Sequence, residues 1–201
     1  MKNLFFLTAA VALTAVFAGC ARMDAPDGLG KISFASTQTW TVTSGTVTQT
    51  WSDAVVAAGA DGKTTFDGTK ADWRNNPGYK GTLFSWEAVN KYKDKLCPDG
   101  WRVPTYLDFM YLDLCLDGTG GIHSIATVLA KYTNSSVWGG QYSGFCAGNG
   151  TLEGQNDAGV YWSQESISAV ETSCLVFRDD GIVFPGQSSA KILGFSLRCV
   201  K

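Results

Sequence analysis

The stretch CPDGWRVPT, residues 97–105, decides how the chain folds. Pro98 presets φ for the second position of a turn that begins at Cys97. Asp99 accepts local hydrogen bonds, and Gly100 closes the turn. Trp101-Arg102-Val103 reads as a short extended segment that buries Trp101 and Val103, and Pro104 keeps Val103 out of the helical region. Thr105 is an N-cap, and Asp108 three residues on completes a capping box. Nine residues therefore end one helix, turn, lay down a strand and start the next helix. This density of switching belongs to a mixed α+β fold of short antiparallel strands and two to three helices.

Working outward, Ser85 caps a helix that runs into the cassette at Leu96, with Phe84, Ala88, Tyr92 and Leu96 at steps of four. The helix leaving the cassette runs to about Leu116. Its apolar side chains Leu107, Met110, Tyr111, Leu114 and Cys115 recur at helical spacing and are expected to face inward. A third helix is expected from Ile122 to Lys131, with Ile122, Ile125, Ala126 and Leu129 inward. The intervening DGTGG (117–121) lacks the Gly-Lys-Ser/Thr ending of a phosphate loop and reads as a helix C-cap and turn. Elsewhere the pattern is β. Residues 38–51 form a hairpin turning at Ser44-Gly45, and 57–81 is mostly loop. Residues 158–166, 172–184 and 194–201 are strands, with Asp180-Gly181 as a hairpin turn. In the last strand Phe195, Leu197 and Cys199 share the face toward the core. Trp40, Trp51, Trp86, Trp101 and Trp162 fall in periodic elements and are expected in the core.

The N-terminus carries a processing signal. Lys2 precedes an apolar run from Leu4 to Phe17, too short to span a bilayer comfortably, and Ala18-Gly19-Cys20 follows. Residues 1–19 read as a lipoprotein signal peptide, Cys20 as the lipidated residue, 20–36 as a flexible tether and 37–201 as one domain. The expected location is the cell envelope, with the lipid holding the chain in the outer membrane. Loss of the signal takes only Lys2 from sixteen basic residues, against eighteen acidic ones. That balance argues against nucleic acid as a partner. Five cysteines remain beyond Cys20, so disulfides are permitted in an oxidising compartment and at least one thiol is left over within the molecule. With no Cys-x-x-Cys pair and His123 as the single histidine, no metal or other cofactor is expected.

The segments TLFSWEAVNKYKDKLCPDGWRVPTYLDFMYL (82–112), VYWSQES (160–166) and GFSLRCVK (194–201) together resemble the Fibrobacter succinogenes major paralogous domain family. The resemblance covers roughly Ser36 to Lys201. It implies a C-type-lectin-like fold whose N- and C-terminal strands lie close together, and a disulfide between Cys97 and Cys199. Many relatives carry a cysteine in the N-terminal third that is absent here. Cys146 and Cys174, both on strand-like segments, are the expected second pair, with Cys115 a free thiol on a helix.

For chemistry, the sequence offers little that resembles a catalytic group. His123 reads as a solvated residue at a helix start with no nucleophile motif nearby. The chain is therefore not expected to be an enzyme. A sulfatase-modifying type, which shares the broad fold and uses a cysteine pair, is the least favoured alternative. Glu153, Gln155, Asn156 and Asp157 cluster oxygen atoms but lack lectin calcium signatures and read as a polar turn. Trp138, Tyr142 and Asn149, with Phe145, lie in a Gly-rich stretch and are the candidate glycan-stacking residues. The alternative is that these rings cover the core beneath the loop. The expected function is noncovalent binding or adhesion, to a glycan or a partner protein. The alternative is a structural accessory subunit of a surface or fimbrial assembly.

Overall fold

Cys97 and Cys199 are joined in a disulfide, with Cα atoms 5.8 Å apart across a separation of 102 residues. The structure, a computed structural model, describes residues 30–59, 66, 70–118 and 121–201. The stretch read as a signal peptide, Cys20 and most of the stretch read as a tether lie outside the described residues.

The chain is mixed α+β and mostly strand. It runs β1 (Ile32–Phe34), β2 (Trp40–Ser44), β3 (Val47–Ala57), β4 (Trp73–Asn75), β5 (Thr82–Ser85), α1 (Trp86–Leu96), α2 (Tyr106–Cys115) and β6 (Gly121–Ile122). There follow α3 (Ile125–Thr127), which continues as a π turn over Val128–Tyr132, then β7 (Ser143–Cys146), β8 (Leu152–Gln155) and β9 (Ala158–Ser166). The chain ends with β10 (Glu171–Arg178), β11 (Ile182–Ala190), β12 (Gly194–Phe195) and β13 (Arg198–Val200). One sheet has the order β1-β3-β13, with β2 also on β3; the other has β4-β5-β12-β7-β9-β10-β11-β6, with β8 on β7. Pairing is antiparallel except between β7 and β9. The first and last strands therefore meet on β3. Strand β1 lies inside the stretch read as tether: Ile32–Phe34 pairs with Val55–Ala57.

The cassette behaves as its residues dictate, with one shift of register. Trp101 N–H bonds to the carbonyl of Pro98, not Cys97, at 2.9 Å. Pro98 thus opens the turn and Gly100 takes its third position with φ 80°, a left-handed value that glycine tolerates and most residues do not. Arg102 exchanges both backbone hydrogen bonds with Val200, at 3.0 and 2.9 Å. A covalent bond and a two-bond ladder therefore fasten the cassette to β13.

Both predicted caps form. Ser85 Oγ accepts from Ala88 N–H at 3.2 Å, and Thr105 and Asp108 make the reciprocal capping box. Asp108 does more, accepting from Arg102 Nη2 at 2.8 Å and from Gln49 Nε2 at 3.1 Å. Its burial favours the neutral acid. The hydrogen bonds from Arg102 and Thr105 outweigh that and hold the carboxyl below its ordinary range. A folded-state value below the unfolded one stabilises above the unfolded pKa of 3.8, and that contribution is lost as pH falls through the folded value. Asp108→Asn is expected to cost about 2 kcal/mol at neutral pH. The deficit against wild type should close in urea titrations below pH 3.8. Asp53, lowered in the same direction by Ser36, Lys80 and Ala54 N–H against its burial, leaves part of the acid limb in place in that variant.

Two large apolar clusters, with a small third one of Phe66, Leu83 and Cys146, fill the described residues. One gathers Val55, Trp86, Val89, Leu96, Trp162 and Phe195 around the disulfide. The other packs Trp51, Phe109, Leu112, Tyr132, Trp138 and Phe177 beneath α2. Trp40, Trp51, Trp86 and Trp162 are buried as expected, and Trp101 is half-buried.

The helix faces depart from expectation. In α2 the buried side chains are Asp108, Phe109, Leu112 and Asp113, while Leu107, Tyr111 and Leu114 are exposed. The third helix is short. Ile122 belongs to β6 and pairs with Ile182, Ser124 caps at Ile125, and the inward residues are Val128 and Tyr132. Ile125, Ala126 and Leu129 face solvent.

Candidate functional site

The glycan candidates do not form a site. Trp138 has no exposed surface. Its ring sits edge-on to Trp51, Tyr132, Tyr161 and Phe177 at centroid distances of 5.3–6.2 Å. The Arg198 guanidinium lies 4.2 Å from that ring and 4.4 Å from the ring of Trp40. Tyr142 is half-buried against Phe177. Burial, with Asp179 and Asp180 nearby, raises the pKa of its phenol. Asn149 is exposed, but its Oδ1 accepts from Thr151 N–H and Oγ1 at 2.9 and 2.8 Å, which closes a local turn. The alternative weighed from the sequence, that the aromatic rings cover the core, describes Trp138. Glycines at 139 and 140 are what admit it. A Cβ at Gly140 would lie 2.5 Å from the Trp138 ring, and one at Gly139 2.7 Å from the Trp40 ring.

The second expected disulfide is absent. Cys146 and Cys174 are both buried and free. The reason is sheet order: β9 stands between β7 and β10. Two strand spacings make a gap of about 10 Å, beyond the roughly 7 Å that a bridge can span. Burial pushes the Cys174 thiol up to about 12. It also raises Cys146, against the opposing pull of Arg74, and the half-buried Cys115. A nucleophilic or metal-binding cysteine needs the opposite shift.

The oxygen cluster at residues 153–157 is a clasp. Asn156, at φ 72°, accepts from Tyr79 Oη at 2.8 Å, and Gln155 Nε2 donates to Asn76 Oδ1 at 2.8 Å. Asn76 Nδ2 donates to the Ser143 carbonyl at 2.9 Å, and Lys80 N–H donates to Gln141 Oε1 at 2.8 Å. The loop from Asn75 to Thr82 borders a shallow, open depression. Its amides are spent holding the loop to β7 and β8. No group of three or more His, Cys, Asp or Glu side chains that could hold a metal occurs among the described residues. No helix among them is long and apolar enough to cross a membrane.

What remains is the outward face of α2. The helix sequence YLDFMYLDLC holds two charged residues, Asp108 and Asp113, and both point inward. Asp113 accepts from the Tyr132 hydroxyl and lies 3.2 Å from His123 Nε2. The His123 side chain is 7% exposed, so it is not the solvated group its position implied. With both carboxylates turned in, the solvent side of α2 carries no charge. Tyr106 (41%), Leu107 (52%), Tyr111 (41%) and Leu114 (48%) are exposed, and Met110 is partly so. They stand at i, i+1, i+4, i+5 and i+8, one contiguous side of a helix. In the segment joined to α2 through Asp113, Ile125 and Leu129 are also exposed. The Tyr106 ring lies against Gly186 of β11, two residues from exposed Phe184. A solvent-facing helix side is normally charged. An apolar, uncharged one with Tyr and Met has the composition of an interface centre. The 3.6-residue period marked the stripe in the sequence. What the sequence hid was its direction.

The model of the Fibrobacter succinogenes major domain matches residues 35–201. No curated protein and no solved structure matches the chain.

Proposed function

The chain belongs to the Fibrobacter succinogenes major domain family, and from that premise we propose that it is a cell-envelope lipoprotein whose domain is a noncovalent binding or adhesion module for a protein partner. The uncharged outer face of α2 carries this reading, because burying it against a protein removes exposed apolar surface at no electrostatic cost. The glycan version lacks its ring platform, since Trp138 is inside the core. The C-type-lectin-like assignment is supported by terminal strands that share β3 and by the Cys97–Cys199 staple. Lipidation of Cys20 would hold the domain at the membrane, in our reading the outer one. Twelve residues from Cys20 to Ile32 reach at most about 40 Å.

A second reading, a structural subunit of a surface assembly, is favoured by the same face and differs only in whether the contact is permanent. Leu107→Glu with Leu114→Glu tests the module. Both side chains are half exposed, so the unfolding free energy should stay within about 1 kcal/mol of wild type. Retention of the purified protein on host cells lacking its gene should fall at least about tenfold, the equivalent of about 1.4 kcal/mol. Undiminished retention would remove α2 from the binding surface.

A further inference from the structure

We infer that the bilayer holding the lipid anchor is itself a ligand of the domain, and that the surface around Trp101 and Phe34 is the face laid on it. This rests on the reading of Cys20 as lipidated and adds a second attachment to that membrane. All seven tryptophans lie within the described residues, and Trp101 alone among them is not buried. Its ring meets Phe34 of β1 edge-on at a centroid distance of 5.7 Å. Phe34 is only half-buried, as is Ile32 two residues back on the same side of the strand. A half-exposed indole with apolar neighbours sits best where water gives way to hydrocarbon, at the level of lipid headgroups.

What selects lipid over a protein is where the tether ends. The Lys31 carbonyl accepts from Ala58 N–H at 2.9 Å, and Ile32 pairs with Ala57. These contacts fix the chain to β3 at the point where the stretch read as tether enters. The anchor is therefore joined to the same short strand that carries Phe34. A short flexible linker holds its two ends at an effective concentration on the order of millimolar. A bilayer contact too weak to form from solution is then occupied once Cys20 is in the membrane. A foreign protein receives no such help.

The nearby charges agree. Helix α1 packs on β1, and Lys31, Lys91, Lys93 and Lys95 are exposed there against Asp94 and Asp99. A local excess of cations beside an apolar face is what an anionic leaflet attracts. The contact does not compete with α2. Along residues 101–103, Trp101 turns to Phe34 and Arg102 turns to Asp108 of α2, opposite sides of an extended segment. The α2 stripe thus stays free for its own partner while Trp101 is on lipid.

Tryptophan quenching by brominated lipid tests this. The full-length protein is reconstituted into vesicles of phosphatidylethanolamine and phosphatidylglycerol, with acyl chains brominated near the headgroup or left plain. Flotation with the vesicles and the mass of the Cys20 peptide show whether the chain is anchored. Bromine quenches over little more than contact distance, so the six buried indoles are shielded and Trp101 should supply the quenched emission. Trp101→Phe should lose that quenching while still floating, and Lys93→Glu with Lys95→Glu should weaken it. An intact Cys97–Cys199 bridge in each variant shows that it has folded. An anchored wild type with no quenching overturns the lipid contact and leaves the lipoprotein reading standing. Equal quenching in wild type and Trp101→Phe puts a different face on the bilayer and overturns it as well. An unmodified Cys20 removes the anchor, and with it both readings.

Discussion

Replacing Cys97 and Cys199 together by alanine is expected to remove about 4–5 kcal/mol of stability, the chain-entropy value for a loop of about a hundred residues. The bridge spans 102 residues, so it constrains most of the unfolded domain. Alanine at both positions leaves no unpaired thiol and no orphan hydroxyl in a site where both cysteines are buried. Domains of this size are stable by about 5–15 kcal/mol, so the loss is about a quarter or more of the total. The unfolding midpoint should fall by about 10–20 °C at roughly 2–4 °C per kcal/mol. The backbone pair between Arg102 and Val200 remains and keeps the variant from losing its topology outright. Urea unfolding of the two proteins, with and without reductant, measures this. A difference below about 1 kcal/mol would mean that the unfolded chain is already compact around this closure.

Trp138→Ala has the next largest expected effect, about 3–5 kcal/mol. The indole touches four other rings and covers one face of Arg198, which has no exposed surface to speak of and donates Nη1–H to the Trp138 carbonyl at 2.7 Å and Nε–H to that of Ser52 at 2.6 Å. Burial pushes the Arg198 guanidinium down to about 10, so it is still a cation at neutral pH. Removing the ring leaves that cation beside a void, and the cost adds cavity to lost cation–π contact. Trp138→Phe should cost clearly less, since Phe fills much of the space. Both are read from denaturant midpoints without any ligand. A ligand-stacking residue would leave those midpoints unmoved, so an unchanged Trp138→Ala would return the ring to the surface.

The parts of the fold legible in the sequence are those decided within a few residues. Ser85 and Thr105 cap because a hydroxyl three residues before a free N–H has one low-energy use. The Asp180-Gly181 hairpin is equally local, whereas 194–201, read as one alternating strand, splits into β12 and β13 in two sheets and is buried on both faces. The turn in the cassette slipped by one residue because the glycine, not the proline, sets its register. The α2 face could not be read because both of its sides carry large apolar residues, and the decision rests on distant partners. Gln49 reaches Asp108 and Tyr132 reaches Asp113, and these make two carboxylates cheaper to bury than four apolar side chains. Cys146 and Cys174 were paired on type and strand context, which say nothing about an intervening strand. The Gly-rich run around Trp138 read as loop or edge, with its rings either on a ligand or over the core, and what decides for the core is that Gly139 and Gly140 are clearance for the Trp40 and Trp138 indoles.

Strand β3 has a kinetic consequence. Its Val47–Trp51 half zips to β2 across a tight turn, an event of microseconds. Its other edge must wait for β13, which pairs Arg198 with Ala54 and Val200 with Trp51 after a chain excursion through every other element. Folding should accordingly be slow, on the scale of milliseconds to seconds found for topologies dominated by remote pairings. During that interval the spine of the smaller sheet stands with one side unzipped, the period in which the chain is most exposed to aggregation.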